Sequence, residues 1–319
     1  MKVVVTGATG FIGSAVVRAL VARGDKVTAV TRPGSDRKRL AGTEVAWATA
    51  DITDPATLTH LFDGTQAVVH AAGQLGAFGI SEATLNETHI EGTRNVCLAL
   101  EALPEPPRLL HISSPGVLGP ISGSPATETA PLAPSNAYER SKAAAENVAL
   151  SFAERGLPLV VARPEFIYGP GDMHVLGLFQ AIRAGRFFYV GDGRNTCHPT
   201  FIGDAVEGLL RALDHGRDGA VYHIAGPQPV SFHELATTIA AALDVPPPRL
   251  AIPVPIAMTG AAALEMVGRL TGIQPPLSRS GVAFFSEDRR FSRSKAEREL
   301  NFVPRVALPE GVAHAVAWY

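Results

Sequence analysis

Apolar runs alternate with amphipathic stretches from the start of the chain, and their spacing switches between the two-residue period of a strand and the 3.6-residue period of a helix. Lys2 to Thr6 reads as a short buried strand, and Phe11 to Arg23 carries apolar residues at helical spacing, with Gly24 as its stop. Lys26 to Thr31 is a second β-like run. Strands follow near Glu44 to Ala48, at Ala67 to His70 and at Arg108 to Ile112, with helices over Pro55 to Phe62 and Ile90 to Glu101. Strands alternating with helices predict an α/β fold built on a doubly wound parallel sheet. Ala137 to Glu154 reads as a long helix, and Leu159 to Ala162 and Val221 to Ile224 as strands. After Arg163 the pattern loosens into Pro- and Gly-rich stretches, with helices near Gly177 to Ala184, Asp204 to Leu213, Ser231 to Leu243 and Ile256 to Thr271. The expected organisation is a first domain over residues 1–163 and a smaller α+β domain over 164–319, with residues of about 200–225 returning to the first.

Composition narrows the class. A chain of 319 residues, 46% hydrophobic and 18% charged, has ample material for a packed core and is neither disordered nor fibrous. Lys plus Arg total 28 against 30 Asp plus Glu, a balance unsuited to a nucleic-acid binder that neutralises phosphates. Two cysteines, Cys97 and Cys197, stand outside any metal-ligand spacing and point to a reducing, cytoplasmic setting. No two histidines are closer than the eight residues between His215 and His223, so a zinc-binding helical pair is not expected. The apolar opening is interrupted by Gly7, Gly10, Gly13 and Arg18, so it reads as strand and helix rather than as a targeting or membrane segment.

The first strand runs into Thr6-Gly7-Ala8-Thr9-Gly10-Phe11-Ile12-Gly13, three glycines between a strand and a helix. Glycines there let a pyrophosphate approach backbone N–H groups at a helix N-terminus, as in a Rossmann dinucleotide-binding half. Thr9, Phe11 and Ile12 are expected in that cradle beside Gly7, Gly10 and Gly13. NAD-binding halves carry an acid about 20 residues on. Here the second strand ends in Arg32, which with Arg37 or Arg39 suits a 2′-phosphate, so NADP is expected ahead of NAD. Asp51 and Ile52 follow the third strand at the adenine edge, although Asp51 could serve only as a helix cap. Ala71-Ala72-Gly73 gives small residues for close approach of the cofactor.

Tyr138 and Lys142 lie one helical turn apart, which places an ammonium beside a phenol and is expected to favour the phenolate. Ser113 and Ser114 end the strand at Arg108 to Ile112, within reach of a substrate oxygen shared with the tyrosine. With the glycine cradle, Arg163-Pro164, Tyr168-Gly169-Pro170-Gly171 and Tyr222-His223-Ile224-Ala225-Gly226, this pattern resembles the extended short-chain dehydrogenase/reductase family, also called the NAD-dependent epimerase/dehydratase family. The resemblance implies Ser114 as catalytic serine, Tyr138 as acid/base, Lys142 on the nicotinamide ribose and a homodimer through helices including the one bearing Tyr138.

Departures from that pattern bear on the substrate. His89 stands where many members have Asn, Phe166 where nucleotide-sugar enzymes commonly have Asn, and Cys197, with neighbouring His198, where they tend to carry a phosphate-binding Arg. Ser113, Phe166, Cys197 and His198 are therefore taken as substrate contacts, and the chain is nearest in pattern to the 3β-hydroxysteroid dehydrogenase and dihydroflavonol reductase branches. The implied activity is interconversion of a secondary alcohol and a ketone. A nucleotide-sugar epimerase or dehydratase is the alternative, and a non-catalytic dinucleotide sensor a third reading that the intact triad opposes.

Overall fold

The structure, a computed structural model, describes residues 1–76 and 78–319. Seven parallel strands form one sheet: β1 (Lys2–Thr6), β2 (Lys26–Thr31), β3 (Ala46–Thr49), β4 (Ala67–His70), β5 (Arg108–Ile112), β6 (Leu159–Pro164) and β7 (Val221–Ile224), in the order β7-β6-β5-β4-β1-β2-β3. Order reverses between β1 and β4, so a crevice opens there at the carboxyl ends of the strands. Alternate residues of β1 serve opposite layers. Val3 and Val5 pack with α1 (Phe11–Ala22), and Val4 faces Leu100 and Phe152 on the other side. The second layer comprises α3 (Gly92–Glu101), reached from α2 (Glu82–Asn86), and α4 (Ala137–Glu154).

Beyond β6 the chain forms α5 (Leu176–Arg183) and then α6 (Ile202–His215), which leads into β7 and packs on α1. Five further helices follow: α7 (Phe232–Ala242), α8 (Val254–Thr271), α9 (Arg279–Ser286), α10 (Ser294–Leu300) and α11 (Leu308–Trp318). α10 rejoins the sheet layer through Ala296 and Leu300. A separate apolar cluster holds Phe179, Ile182, Phe232, Ile239 and Val312 above the carboxyl ends of the strands.

The expected helix over Pro55 to Phe62 is not formed. Only a 3₁₀ turn, Pro55–Leu58, is present, because His60 adopts φ 61° and Gly64 φ 63°, which end helical propagation. The helix expected from Ile90 instead starts at Gly92, after a π-helical turn over Glu87–Glu91 that α2 feeds directly.

Candidate active site

Two adjoining hollows lie above the strand ends. The first is a cleft of about 740 Å³ between β1 and β4, lined by Gly7, Thr9, Gly10, Phe11, Ile12, Gly13, Arg32, Asp51, Ile52, Ala71, Ala72, Gly73 and Lys142, so nearly all the expected cofactor residues meet in one place. Gly7 has φ 65°, and a Cβ there would stand 2.6 Å from the Ala72 nitrogen; a Cβ on Gly13 would collide with the Gly7 carbonyl oxygen. These glycines thus let the turn close on itself and on the end of β4. Gly10 caps α1 without a side-chain hydrogen bond, leaving first-turn N–H groups free for an anion. The cradle fits a dinucleotide pyrophosphate.

At the far end of the cleft, exposed Arg32 stands with Thr31 and Ser35, two hydroxyls that sequence reasoning passed over. Arg37 is not among the residues lining the cleft; its guanidinium lies 4.4 Å from the Trp47 ring centroid. Arg39 donates instead to the Gly171 carbonyl. The Asp51 carboxylate accepts from the Thr53 amide at 3.0 Å and hydroxyl at 2.9 Å, a local turn in the cleft wall; the cap of the Pro55–Leu58 turn is Asp54, whose carboxylate accepts from the Ala56 amide.

Tyr138 is on the first turn of α4, which Asn136 starts by accepting from the Glu139 amide at 3.0 Å. Lys142 follows one turn later, buried, its Nζ donating to the Ile112 carbonyl at 2.7 Å. Desolvation lowers its pKa to about 8, opposed by the Glu146 carboxylate. The expected shift toward phenolate is not found. Burial pushes Tyr138 up to about 12, with the Glu139 and Glu165 carboxylates adding to the rise and the Ser114 hydroxyl opposing it. The phenol is therefore a neutral proton donor in this structure. Ser114 begins a 3₁₀ turn, its Oγ accepting from the Gly116 amide at 3.2 Å. Ser113 is committed elsewhere, donating to Glu146 Oε2 at 2.5 Å.

His89, delivered by the π-helical turn, accepts from the Gln74 amide through Nε2 at 3.0 Å, so its Nδ1–H donates to Ser141 Oγ at 2.8 Å. Desolvation holds its pKa down at about 3, with the Lys142 ammonium the next cause. A neutral imidazole in a fixed tautomer thus ties the loop after β4 to the helix bearing Tyr138.

The second hollow has a volume of about 1220 Å³ and walls rich in Phe166, Phe187, Phe188, Phe284, Phe285 and Leu277. Phe11, Ile12, Leu75, Ser113, Tyr138 and His174 line both hollows, whereas Ser114 lines only this one and Lys142 only the cleft. Neither Cys197 nor His198 reaches it, contrary to the expectation from sequence. Cys197 pairs antiparallel with Val230 inside the Phe179–Phe232 cluster, and His198 donates Nε2–H to the Gly226 carbonyl at 3.0 Å. Backbone pairing with Val230 turns this two-residue strand inward. Glu165 and Arg289 do reach the hollow; Arg289 lies far in sequence from Ser114, Tyr138 and Glu165, so no local signal marks it.

The profile of the NAD dependent epimerase/dehydratase family matches residues 3–225. The chain belongs to that family. It is 32% identical over 332 residues to 2-alkyl-3-oxoalkanoate reductase of Stenotrophomonas maltophilia, with 98% of this chain and 97% of the relative covered. Among solved structures it is similar to gox2253 (31% identity, 99% and 97% covered, TM-score 0.84) and to DesIV, a dTDP-glucose 4,6-dehydratase of Streptomyces venezuelae with NAD and TYD bound (26% identity, 100% and 97% covered, TM-score 0.83). The relatives found are reductases, dehydrogenases, dehydratases and epimerases, and the chain is an NAD(P)-dependent enzyme of this extended short-chain dehydrogenase/reductase kind. Among the described residues no helix is long and apolar enough to cross a membrane.

Proposed function

We propose that the enzyme interconverts a secondary alcohol and a ketone on an apolar substrate, with Ser114, Tyr138 and Lys142 as its catalytic residues and NADP as the preferred cofactor. The observation that carries this reading is the position of Tyr138 in the wall common to cleft and cavity, with Lys142 on the cofactor side and Ser114 on the substrate side. A bound nicotinamide supplies or accepts the hydride. Ser114 and Tyr138 hold the substrate oxygen between their hydroxyls, and the neutral phenol gives its proton to that oxygen as the carbonyl is reduced. Lys142, one turn along α4 and in the wall of the cleft, would hold the nicotinamide ribose and return a proton to the phenolate.

The aromatic cavity supports an apolar substrate, because phenylalanines dominate its walls and Phe166 offers no hydrogen bond. Substrate panels of apolar ketones and of UDP, dTDP and GDP sugars, followed by nicotinamide absorbance and product together, test the assignment. Stoichiometric oxidation of NADPH by the ketones is expected. Epimerisation of a sugar nucleotide with no net cofactor change overturns it. NADP preference rests on Arg32 where an acid would serve NAD. Arg32→Ala should weaken NADP about tenfold to a hundredfold, the loss of a hydrogen bond to a charged group, and leave NAD little changed. A homodimer through α4 completes the proposal and is checked by light scattering.

A further inference from the structure

The cavity is not apolar throughout. Where β6 ends, Glu165 lines it beside Ser114 and Tyr138, only 6% exposed. Its backbone N–H donates to the Ile224 carbonyl at 3.0 Å, while its carboxyl has no hydrogen bond to any of the described residues. Arg289, equally buried, lines the same end. That guanidinium is already committed twice, to Glu139 Oε1 at 2.8 Å and to Glu287 Oε2 at 3.0 Å, and its Nε is buried without a partner among the described residues. One cation therefore stands among three carboxyl groups, two of which it neutralises. Burial raises the pKa of the third, Glu165, to about 8, with Arg289 opposing the rise and the Glu139 carboxylate adding to it. A carboxyl that lines the cavity beside the reacting hydroxyls and makes no hydrogen bond to the described residues is free to accept one from a bound ligand in place of water.

We propose that Glu165 is a second polar anchor of the substrate cavity, which selects ketones or alcohols carrying an additional hydroxyl or amine N–H and disfavours those carrying a carboxylate at that place. This rests on the cavity being the substrate site. A carboxyl keeps a free acceptor oxygen in either protonation state, so a proton-bearing ligand group is served in both. A ligand carboxylate at that place would instead add an anion where one guanidinium already balances two.

The test uses acetophenone and its derivatives with a hydroxyl or a carboxylate at each ring position, against the wild type, Glu165→Gln and Glu165→Leu. Turnover is read with NADPH, and binding separately, as the shift in melting temperature in the presence of NADP. At one ring position the hydroxyl should raise kcat/KM about tenfold over the unsubstituted ketone, and the carboxylate should lower it about tenfold. Glu165→Leu should bring the hydroxyl ratio to about one, whereas Glu165→Gln, which keeps an acceptor oxygen, should retain most of it. An equal hydroxyl ratio in wild type and Glu165→Leu, a wild-type preference for the carboxylate, or binding of none of the probes overturns the anchor. Probes that bind with the hydroxyl preference lost in Glu165→Leu, yet are never reduced, uphold the anchor and overturn the oxidoreductase reading.

Discussion

Glu146 shows how little freedom a single residue has beside this site. It is 1% exposed on α4, accepts from the Ser113 hydroxyl, and forms a two-pronged pair with Arg163, itself 3% exposed, with Nε 3.0 Å from Oε2. Removing one member of a buried pair strands the other charge, which costs about 3 to 5 kcal/mol. Glu146→Ala should therefore lower unfolding stability by that amount in denaturant titration; a loss under about 1 kcal/mol would show that Arg163 finds water or another carboxylate. Tyr138 makes the opposite case, a residue whose oxygen matters to chemistry more than to the fold. Tyr138→Phe should keep NADP affinity, followed by cofactor fluorescence, while losing nearly all turnover. Near wild-type rates would remove Tyr138 from the mechanism.

The elements nearest the cofactor were legible because each carries its own local chemistry. β1, the glycine turn and α1 follow from a valine run, three glycines and a 3.6-residue period, and Ala137–Glu154 agrees with its expected bounds to the residue. The turn leaves no room: Gly13→Ala drives a methyl into the Gly7 carbonyl, and should cost more than tenfold in cofactor affinity and several degrees in melting temperature. Unchanged affinity would mean that the turn relaxes freely. What sequence missed has physical causes too. The Pro55–Phe62 segment had helical spacing, but the left-handed backbone at His60 overrode it. The π-helical turn inserts one residue into an otherwise ordinary helix and so presents His89 to Ser141 and Gln74, an insertion that hydrophobic period does not reveal. Cys197 and His198 were misplaced because a two-residue strand has no periodicity from which to read its facing. Glu165 and Arg289 are brought together only by the tertiary fold.

At the scale of the whole molecule, stability is bound to pH by what the interior holds neutral. His70, His89, His111, His198 and His223 all have lowered pKa values, each chiefly through desolvation. The unfolded chain binds more protons than the folded one below about pH 6.5, so their contribution is present above that pH and is lost as pH falls toward the folded values. Glu165 has the opposite sign: its raised pKa means stability is lost as pH climbs from the ordinary carboxyl value to about 8. Five imidazoles against the raised carboxyls of Glu165 and Asp172 predict a melting temperature that rises steeply from pH 4 to about 6.5, and a shallower decline from there to about pH 8 that Glu165→Gln should flatten. His111 is the sharpest probe of the acid limb. It sits in β5 at 1% exposure, 5.5 Å in ring centroid from His70, and neither of its ring nitrogens has a partner among the described residues. An imidazole N–H buried without an acceptor costs about 1 to 3 kcal/mol. His111→Leu fills a similar volume with no polar atom. It should therefore raise stability at pH 7 by about that amount and also reduce the slope of unfolding free energy against pH below 6.5, both read from denaturant titrations across the pH series. A variant that is less stable at pH 7, or whose acid limb matches the wild type, would show that His111 keeps a proton partner inside the fold and does not resist charging there.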